Sequence, residues 1–286
     1  MTNLIVTKFG GSALGADGIA IPEIIQRIID LKKDSKIIAV FSAPLTIHNE
    51  KKRSLTDIIL EQGKNAENGI KPSLDIVKSS YQKILEMVNS ENQEDCKKVI
   101  DAYLILSQNA LDEAYESKEF ANEVRSRALA FSGEILISHV MNYILRSNSI
   151  ITDAVKFEDW PIITDNNIES TNFLSSESRE KMQKIAELVD KNEVVTIGGF
   201  IGKTVDNVTT TFERGGSDRT AADLGILFHK KYKTSIDFEK DSAVVSADPK
   251  IVDEGLRDVN QLSYNEARLA GMFGMKILDP IAIKEI

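Results

Sequence analysis

Two continuous apolar runs near the N-terminus flank a segment whose apolar residues recur at helical spacing. The runs are NLIVTK (3–8) and KIIAVFSA (36–43), and isoleucines repeat every three or four residues from about 18 to 33. A strand that is apolar along its whole length is typical of a sheet covered on both faces, and a strand–helix–strand order favours parallel pairing. The beginning of the chain therefore predicts a parallel sheet covered by helices.

The rest of the chain continues this alternation, with a helical elaboration in its first half. Residues from about 53 to 145 are predicted to be almost entirely helical, with breaks at 67–73 and near 90 and 117. Ser217 is the predicted N-cap of a later helix, and SYNE (263–266) has the spacing of a capping box. Further strands are predicted at 149–155, 193–200 and 208–213, and a further helix at 175–190. The prediction is an open α/β sheet.

Composition narrows the classes of partner. The chain has 286 residues, 42% of them hydrophobic, and its net charge of -9 argues against a general nucleic-acid or acidic-membrane surface. Cys96 is the single cysteine, which excludes a disulfide within the chain and fits a reducing compartment. There is no secretory signal pattern and no run of roughly eighteen apolar residues. We therefore expect a cytoplasmic protein with no nucleic-acid or membrane partner.

Three glycine pairs follow apparent strands or β-rich segments. They are Gly10–Gly11, Gly198–Gly199 and Gly215–Gly216. Glycine permits close approach of a ligand to the backbone, and ligands bind at the carboxyl ends of strands in open α/β sheets. None of the three has the P-loop or the dinucleotide-binding spacing. The pairs favour a phosphorylated ligand, with tight turns in a packed fold as the alternative.

Two charged positions beside these glycines suggest chemistry. Lys8 ends the first strand, where its ammonium would suit the charge of a transferring phosphoryl group, although it could also reach solvent at a sheet edge. Arg214 and Asp218, in RGGSD, match the carboxylate and the ammonium of a free amino acid. The alternatives are a surface ion pair for Arg214 and helix-dipole stabilisation for Asp218. Glu134 opens an apolar helix, a place where glutamate usually serves the dipole.

The motifs together resemble the aspartate kinases of the amino-acid kinase superfamily. They are TKFGGS, FSAP, SGEIL, GGFIG, FERGGSDRTAADLG and SADPKIV followed by LSYNEARLAGMFGMKILDP, in the order of that family over nearly the whole chain. The resemblance implies a three-layer αβα sandwich with a mainly parallel central sheet. It implies one kinase domain over 1–286, with a substrate lobe over about 1–200 and a nucleotide lobe over about 201–286.

The same resemblance implies an activity and a set of site residues. The activity is phosphorylation of the L-aspartate side chain by ATP with Mg²⁺ to 4-phospho-L-aspartate, the first step towards lysine, threonine and methionine. Lys8 and Asp218 take the catalytic roles, and no side chain is assigned to a metal. The substrate-binding residues would be Ser42, Thr56 (with LTIHNEKKRS as an insertion), Glu134, Arg214 and Ser217. The nucleotide- or phosphate-binding residues would be Gly10, Gly11, Ser12, Glu239, Lys240, Lys250 and Lys276.

The sequence departs from the family pattern in the nucleotide lobe. EKDSA (239–243) stands where the family has T-D-V-x-G, so Glu239 and Lys240 replace a threonine and an aspartate near the adenosine. Val245 replaces a tyrosine, and Asp279 replaces a histidine. We therefore expect intact aspartate recognition and altered adenosine recognition: a shifted mode, weaker binding, or a nucleotide other than ATP.

The chain ends at Ile286, before any ACT regulatory domain. We expect no feedback through such a domain, and the resemblance suggests a homodimer. Two alternatives to an aspartate kinase stay open at this point. One is a non-catalytic amino-acid-binding or regulatory subunit, and the other is a sibling kinase that acts on glutamate, N-acetylglutamate or carbamate.

Overall fold

The computed structural model describes residues 1–213, 215–240, 244–246, 251–252, 254–272 and 278–286. Three of the predicted site residues, Arg214, Lys250 and Lys276, lie outside the described residues, as do positions 241–243 of the EKDSA segment.

Nine strands lie in the described part of the chain. They are β1 (Asn3–Phe9), β2 (Lys36–Phe41), β3 (Leu45–His48), β4 (Lys51–Ser54), β5 (Thr152–Ala154), β6 (Val194–Gly198), β7 (Ile201–Lys203), β8 (Thr209–Thr211) and β9 (Lys233–Glu239). The described helices are α1 (Gly11–Leu14), α2 (Ile21–Leu31), α3 (Leu55–Glu67), α4 (Asp75–Leu85), α5 (Ser90–Ser117), α6 (Asn122–Ser132), α7 (Glu134–Ser147), α8 (Ser175–Lys191), α9 (Gly216–Phe228), α10 (Tyr264–Met272) and α11 (Pro280–Glu285).

Five strands form the central sheet, in the order β5-β6-β2-β1-β9. Every neighbouring pair in it is parallel. The other four strands form two antiparallel hairpins, β3–β4 and β7–β8. The parallel sheet covered by helices is therefore confirmed.

Alternate side chains of the central strands enter two separate hydrophobic cores. In β2, Ile37, Ala39 and Phe41 pack into one core with α2 to α7, whereas Ile38 and Val40 pack into the other with α8 and α9. Each of these five side chains is at most 1% exposed. Because successive strand residues point to opposite faces, a strand buried on both faces must be apolar throughout. The result is the predicted three-layer αβα sandwich.

The helical elaboration, α3 to α7, covers one face of the sheet. Its breaks at 68–74, 86–89 and 118–121 match the predicted breaks closely. Within the described residues, one stretch, Asn122–Ser147, is long and apolar enough to cross a membrane by length and composition, but 89% of its most apolar window is buried inside the fold. The stretch consists of α6 and α7, and its burial is typical of helices in a protein core.

Three local features differ from the predictions. Ser217 is not the N-cap of α9: the cap is Gly215, whose φ of 97° is left-handed, so the helix begins one residue before Ser217. The hairpin β3–β4 occupies the LTIHNEKKRS segment. The strand β9, at a described edge of the sheet, was not predicted because five of the seven residues of KTSIDFE are polar or charged. The SYNE capping box is confirmed, with Ser263 and Glu266 bonded reciprocally.

Candidate active site

The carboxyl ends of three central strands form the floor of a cleft. Phe9, Phe41 and Gly198 are paired across β1, β2 and β6, so the chain leaves the sheet at the same level three times. Main-chain bonds hold these exits together, since Ser42 N–H donates to Phe9 O and Gly199 N–H donates to Phe41 O. The cleft beside them has a volume of about 300 Å³.

Most of the predicted substrate and phosphoryl residues meet in this cleft. Those that line it are Lys8, Gly11, Ser12, Ser42, Thr56, Glu134, Ser217 and Asp218. Gly10 lies beside them, since a Cβ added there would be 3.3 Å from Lys8 Nζ. Several other residues that line the cleft were not predicted as site residues; they are Ala43, Leu45, Ser54, Asp57 and Phe200. Two of them adjoin predicted positions: Ala43 belongs to the motif FSAP, and Asp57 directly follows Thr56.

The glycine pairs let the walls of the cleft approach one another. A Cβ on Gly11 would lie 2.4 Å from the carbonyl oxygen of Ala43, and one on Gly199 would lie 2.6 Å from the Ser217 side chain. On Gly198 it would lie 2.6 Å from the main chain of Glu134. A side chain at any of these three positions would push the cleft walls apart. Glycine therefore allows the polar groups on the walls to lie close together.

Lys8 and Asp218 form an ion pair at the centre of the cleft. Lys8 Nζ lies 2.8 Å from Asp218 Oδ1, and the two side chains are only 11% and 9% exposed. The main-chain N–H of Asp279 donates to the other oxygen, Oδ2, at 3.3 Å. Lys8 thus does not extend to solvent at a sheet edge, since β1 lies between β2 and β9 and its ammonium is turned into the cleft. A cation in this position can stabilise charge on a phosphoryl group.

Glu134 is a buried carboxyl group on the cleft wall. The residue is 4% exposed, and its Oε1 accepts a hydrogen bond from Ala43 N–H at 3.2 Å. Its Oε2 is buried without a hydrogen-bond partner among the described residues. Burial raises the pKa of Glu134 from 4.5 to about 7, outweighing the Ala43 N–H and the charge of Lys8, which lower it. The unpartnered oxygen is suited to accept a hydrogen bond from an ammonium group of a ligand. Interaction with the helix dipole, the usual role of a glutamate in a first turn, does not require such an oxygen.

Ser42, Thr56 and Ser217 complete the polar lining. Ser42 directly follows β2. Thr56 sits in the first turn of α3, where its N–H is capped by Ser54 Oγ at 3.1 Å. Ser217 is 8% exposed in the first turn of α9. Ser42 lies where a strand ends, and Thr56 and Ser217 lie where helices begin.

Glu239 and Lys240 do not line this cleft. They line a second cavity of about 220 Å³ with Ser12 and Arg27, and Ser12 also borders the first cleft. Glu239 Oε1 accepts a hydrogen bond from Arg27 Nε at 2.6 Å, and Asp237 lies 3.4 Å from the same guanidinium. The Glu239 carboxylate, which stands where the family pattern has a threonine, is therefore bound by Arg27 of α2.

Asp279, another departure from the family pattern, caps α11. Its Oδ1 accepts hydrogen bonds from the N–H groups of Ile281 and Ala282. A Cβ on Gly215 would lie 2.6 Å from its other oxygen, so Asp279 packs directly against the turn that begins α9. The residue joins the C-terminal helix to the cleft wall.

No group of three or more His, Cys, Asp or Glu side chains is placed to hold a metal ion in the part of the chain that the structure describes. Mg²⁺ is usually held by one or two carboxylates, water and substrate phosphates, so it does not need such a group. A larger, mostly apolar cavity of about 840 Å³ lies along the outer edge of β9, between α9, α10 and α11. None of the predicted site residues that the structure describes lines it.

Comparison with known proteins agrees with this architecture. A family model described as "Amino acid kinase family" matches residues 3–286. The aspartokinase of Helicobacter pylori strain J99 is 27% identical over 281 residues, which cover 96% of this chain and 52% of that protein. A chloroplastic bifunctional aspartokinase/homoserine dehydrogenase 2 of Arabidopsis thaliana is 25% identical, over 97% of this chain and 29% of that protein.

Solved structures show the same fold. E. coli aspartokinase III, crystallised with aspartate and ADP, matches 99% of this chain and 59% of its own chain, with a TM-score of 0.76 and 19% identity. The aspartate kinase of Clostridium acetobutylicum matches 99% of this chain and 57% of its own, with a TM-score of 0.67 and 22% identity. The chain spans between 29% and 52% of the length of the first curated relatives. By the family model, the motifs and the fold, this chain belongs to the amino acid kinase family.

Proposed function

We propose that the chain transfers the γ-phosphoryl group of ATP to the side-chain carboxylate of L-aspartate, giving 4-phospho-L-aspartate and ADP. The observation that carries the proposal is the cleft itself, where the Lys8–Asp218 pair and the buried Glu134 meet beside the turn at Gly10 and Gly11. The names of the relatives, which are aspartokinases, support the choice of substrate.

The two carboxyl groups suit the ammonium group of aspartate. Asp218 forms the ion pair with Lys8, and Glu134 offers a buried oxygen without a partner among the described residues. An ammonium between them would replace the water lost on burial, and hydrogen bonds to charged groups contribute about 1.5–3 kcal/mol each. Arg214, the predicted partner of the α-carboxylate, lies outside the described residues but adjoins Gly215, which lines the cleft. Substrates without a free ammonium should therefore bind poorly.

The phosphoryl side needs charge stabilisation and alignment rather than a base. A carboxylate oxygen of aspartate forms the new bond to the γ-phosphorus as the bond to the β,γ-bridging oxygen breaks, and ADP leaves with that electron pair. The nucleophile is already ionised, so no proton has to be removed. Lys8 stabilises the charge of the transferring group, and Gly10, Gly11 and Ser12 shape the turn around it. Mg²⁺, when bound with the nucleotide, would neutralise phosphate charge.

Trapping the product with hydroxylamine tests the proposal. Protein incubated with L-aspartate, ATP and Mg²⁺ should form an aspartyl hydroxamate, whereas N-acetyl-L-aspartate and glutamate should give at least tenfold less. Lys8→Met should abolish most of the product. Lys184→Met is a matched control, since Lys184 forms a 2.6 Å ion pair with Asp159 at the surface. No hydroxamate above the Lys8→Met level would reject the activity.

A second candidate, an amino-acid-binding subunit without catalysis, is favoured by one observation. Glu239 stands where adenosine recognition is expected and is instead bonded to Arg27. Calorimetry separates the two functions: a kinase binds both aspartate and a non-hydrolysable ATP analogue. A binding subunit would bind aspartate and leave the nucleotide unbound.

A further inference from the structure

Tyr81 is a buried tyrosine whose hydroxyl bonds to the main chain directly before Glu134. It is on α4, is fully buried, and lies 3.1 Å from the carbonyl oxygens of both Ser132 and Gly133. The hydroxyl donates one hydrogen, which these two acceptors share. Charge on Glu134 is close enough to raise the pKa of Tyr81, after the larger effect of burial. The hydroxyl therefore stays protonated and remains a donor.

The bonded carbonyls stand at a break between two helices. Ser132 ends α6 and Glu134 begins α7, and Gly133 between them has φ -110° and ψ -107°, outside the helical region. Carbonyl groups in the last turn of a helix have no partner within it, and burying them unpaired costs free energy. The carbonyl oxygen of Gly133 also accepts a hydrogen bond from the N–H of Ile137 at 3.0 Å. It is therefore the Ser132 carbonyl for which Tyr81 supplies the missing donor, at the point where the chain changes direction.

The direction of α7 decides where the Glu134 carboxyl group lies. Glu134 is the first residue of that helix, and Gly198 approaches its main chain so closely that a Cβ would lie 2.6 Å away. A small change in the break would therefore move the carboxyl group relative to Ala43 N–H and to Asp218. The helix that carries Tyr81 is anchored in turn, since Lys83 pairs with Asp17 at 2.6 Å and Asp17 accepts from Thr46.

We propose that Tyr81 is a positioning residue for substrate binding: through Ser132 and Gly133 it holds Glu134 towards the ammonium group of the amino acid. Tyr81 does not touch the substrate, since it is not among the residues that line the cleft. The inference rests on the proposed function, because it assigns Tyr81 to the same ammonium site.

Tyr81→Phe, which removes only the hydroxyl, tests the role. Losing one hydrogen bond to a buried acceptor should raise both the Kd and the KM for aspartate about five- to tenfold. The kcat should stay within about twofold, because the phosphoryl side is unchanged. In a Glu134→Gln background the same substitution should add less than a twofold effect, since the group that Tyr81 positions has already lost its charge.

Tyr232→Phe is the matched control. Tyr232 is also buried, and its hydroxyl bonds to Asp190 and to the carbonyl of Ala186 in the other core, behind the sheet. It should lower the melting temperature without changing the Kd for aspartate. Equal effects of the two substitutions on that Kd, or an undiminished effect of Tyr81→Phe in the Glu134→Gln background, would overturn the positioning role. Wild-type protein that fails to bind aspartate in calorimetry would instead reject the proposed function, and the inference with it.

Discussion

The proposed amino-acid side and the proposed nucleotide side of the candidate site are built in different ways. On the amino-acid side, Glu134, Ser217 and Asp218 are at most 8% exposed, on helices whose first turns are packed against the sheet. On the nucleotide side, Glu239 and Lys240 stand at the end of β9, a strand at a described edge of the sheet. The helix that follows, α10, has no buried residue among those described.

The side chains on the first side are held in place by packing, whereas Glu239 on the second side is held by an ion pair that is partly exposed to solvent. A buried carboxyl group is held by its surroundings, so removing its partner is costly. An exposed ion pair such as Arg27–Glu239 contributes less than about 1 kcal/mol. Substitutions on the amino-acid side should therefore have large effects on binding and folding, and substitutions on the nucleotide side should have small effects on folding.

The largest effect is expected from Lys8→Met. It should lower kcat by a factor of about 10²–10³, as removal of a preorganised group from a transition-state site does. It should also lower the melting temperature, because Asp218 loses its partner at 2.8 Å. The double variant Lys8→Met/Asp218→Asn should recover the melting temperature and not the activity. Recovery of both, in steady-state assays and thermal scans, would contradict the assigned role.

Glu134→Gln should come next. Replacing a charged acceptor of the ammonium group with a neutral one should raise the KM for aspartate about ten- to a hundredfold. The affinity of the wild type for aspartate should increase as the pH rises through about 7, where Glu134 ionises. The affinity of the variant should lack this increase. Calorimetric titrations between pH 5.5 and 8.5 measure both trends. An identical pH profile for the two proteins would remove Glu134 from the ammonium site.

The same carboxyl group predicts a dependence of folding on pH. Its pKa is raised in the folded state, from 4.5 to about 7, so the unfolded chain loses its proton first as the pH rises. Its contribution is complete below pH 4.5 and is lost as the pH rises to about 7, by an amount on the order of 3 kcal/mol. Denaturant unfolding of the wild type minus that of Glu134→Gln isolates this contribution. A difference that grows in the opposite direction would contradict the buried, uncharged state.

The smallest effect is expected from Glu239→Thr, which installs the residue that the family resemblance places there. Releasing Arg27 should change the free energy of unfolding by less than about 1 kcal/mol. If Glu239 limits nucleotide binding, the KM for ATP should fall a few-fold while the KM for aspartate stays constant. Arg27→Ala serves as the control that breaks the ion pair and retains the carboxylate. A shift in the KM for aspartate would contradict the separation of the two sides.

Patterns of hydrophobicity predicted a parallel sheet covered by helices, and the family resemblance identified much of the cleft. An apolar strand such as β2 must be buried on both faces, and the glycine pairs at strand ends favoured a ligand site there. The residue patterns left Lys8 open between the ligand site and the solvent, and the family resemblance assigned it to the site. The strand β9 was missed because it has only two apolar residues, Ile236 and Phe238. The N-cap of α9 was assigned wrongly because serine is a stronger N-cap residue than glycine, whereas the cap here is the left-handed Gly215.

Contacts between distant segments could not be predicted. Tyr81 and Ser132 are 51 positions apart. The periodicity of α4 can indicate that an aromatic residue is buried, but it does not identify the residue to which the hydroxyl bonds. The pairing of Glu239 with Arg27 spans 212 positions and depends on how α2 crosses the end of β9. Such contacts follow from the packing of whole elements, whereas the motifs record only residues that are close in the chain.

Phosphorus NMR of the reaction mixture tests the central claim most directly. With ATP, Mg²⁺ and L-aspartate, the wild type should produce an acyl-phosphate resonance that requires both substrates, grows together with ADP and is lost in Lys8→Met. ADP release without that resonance, or an equal resonance from Lys8→Met, would contradict phosphoryl transfer to aspartate at this cleft.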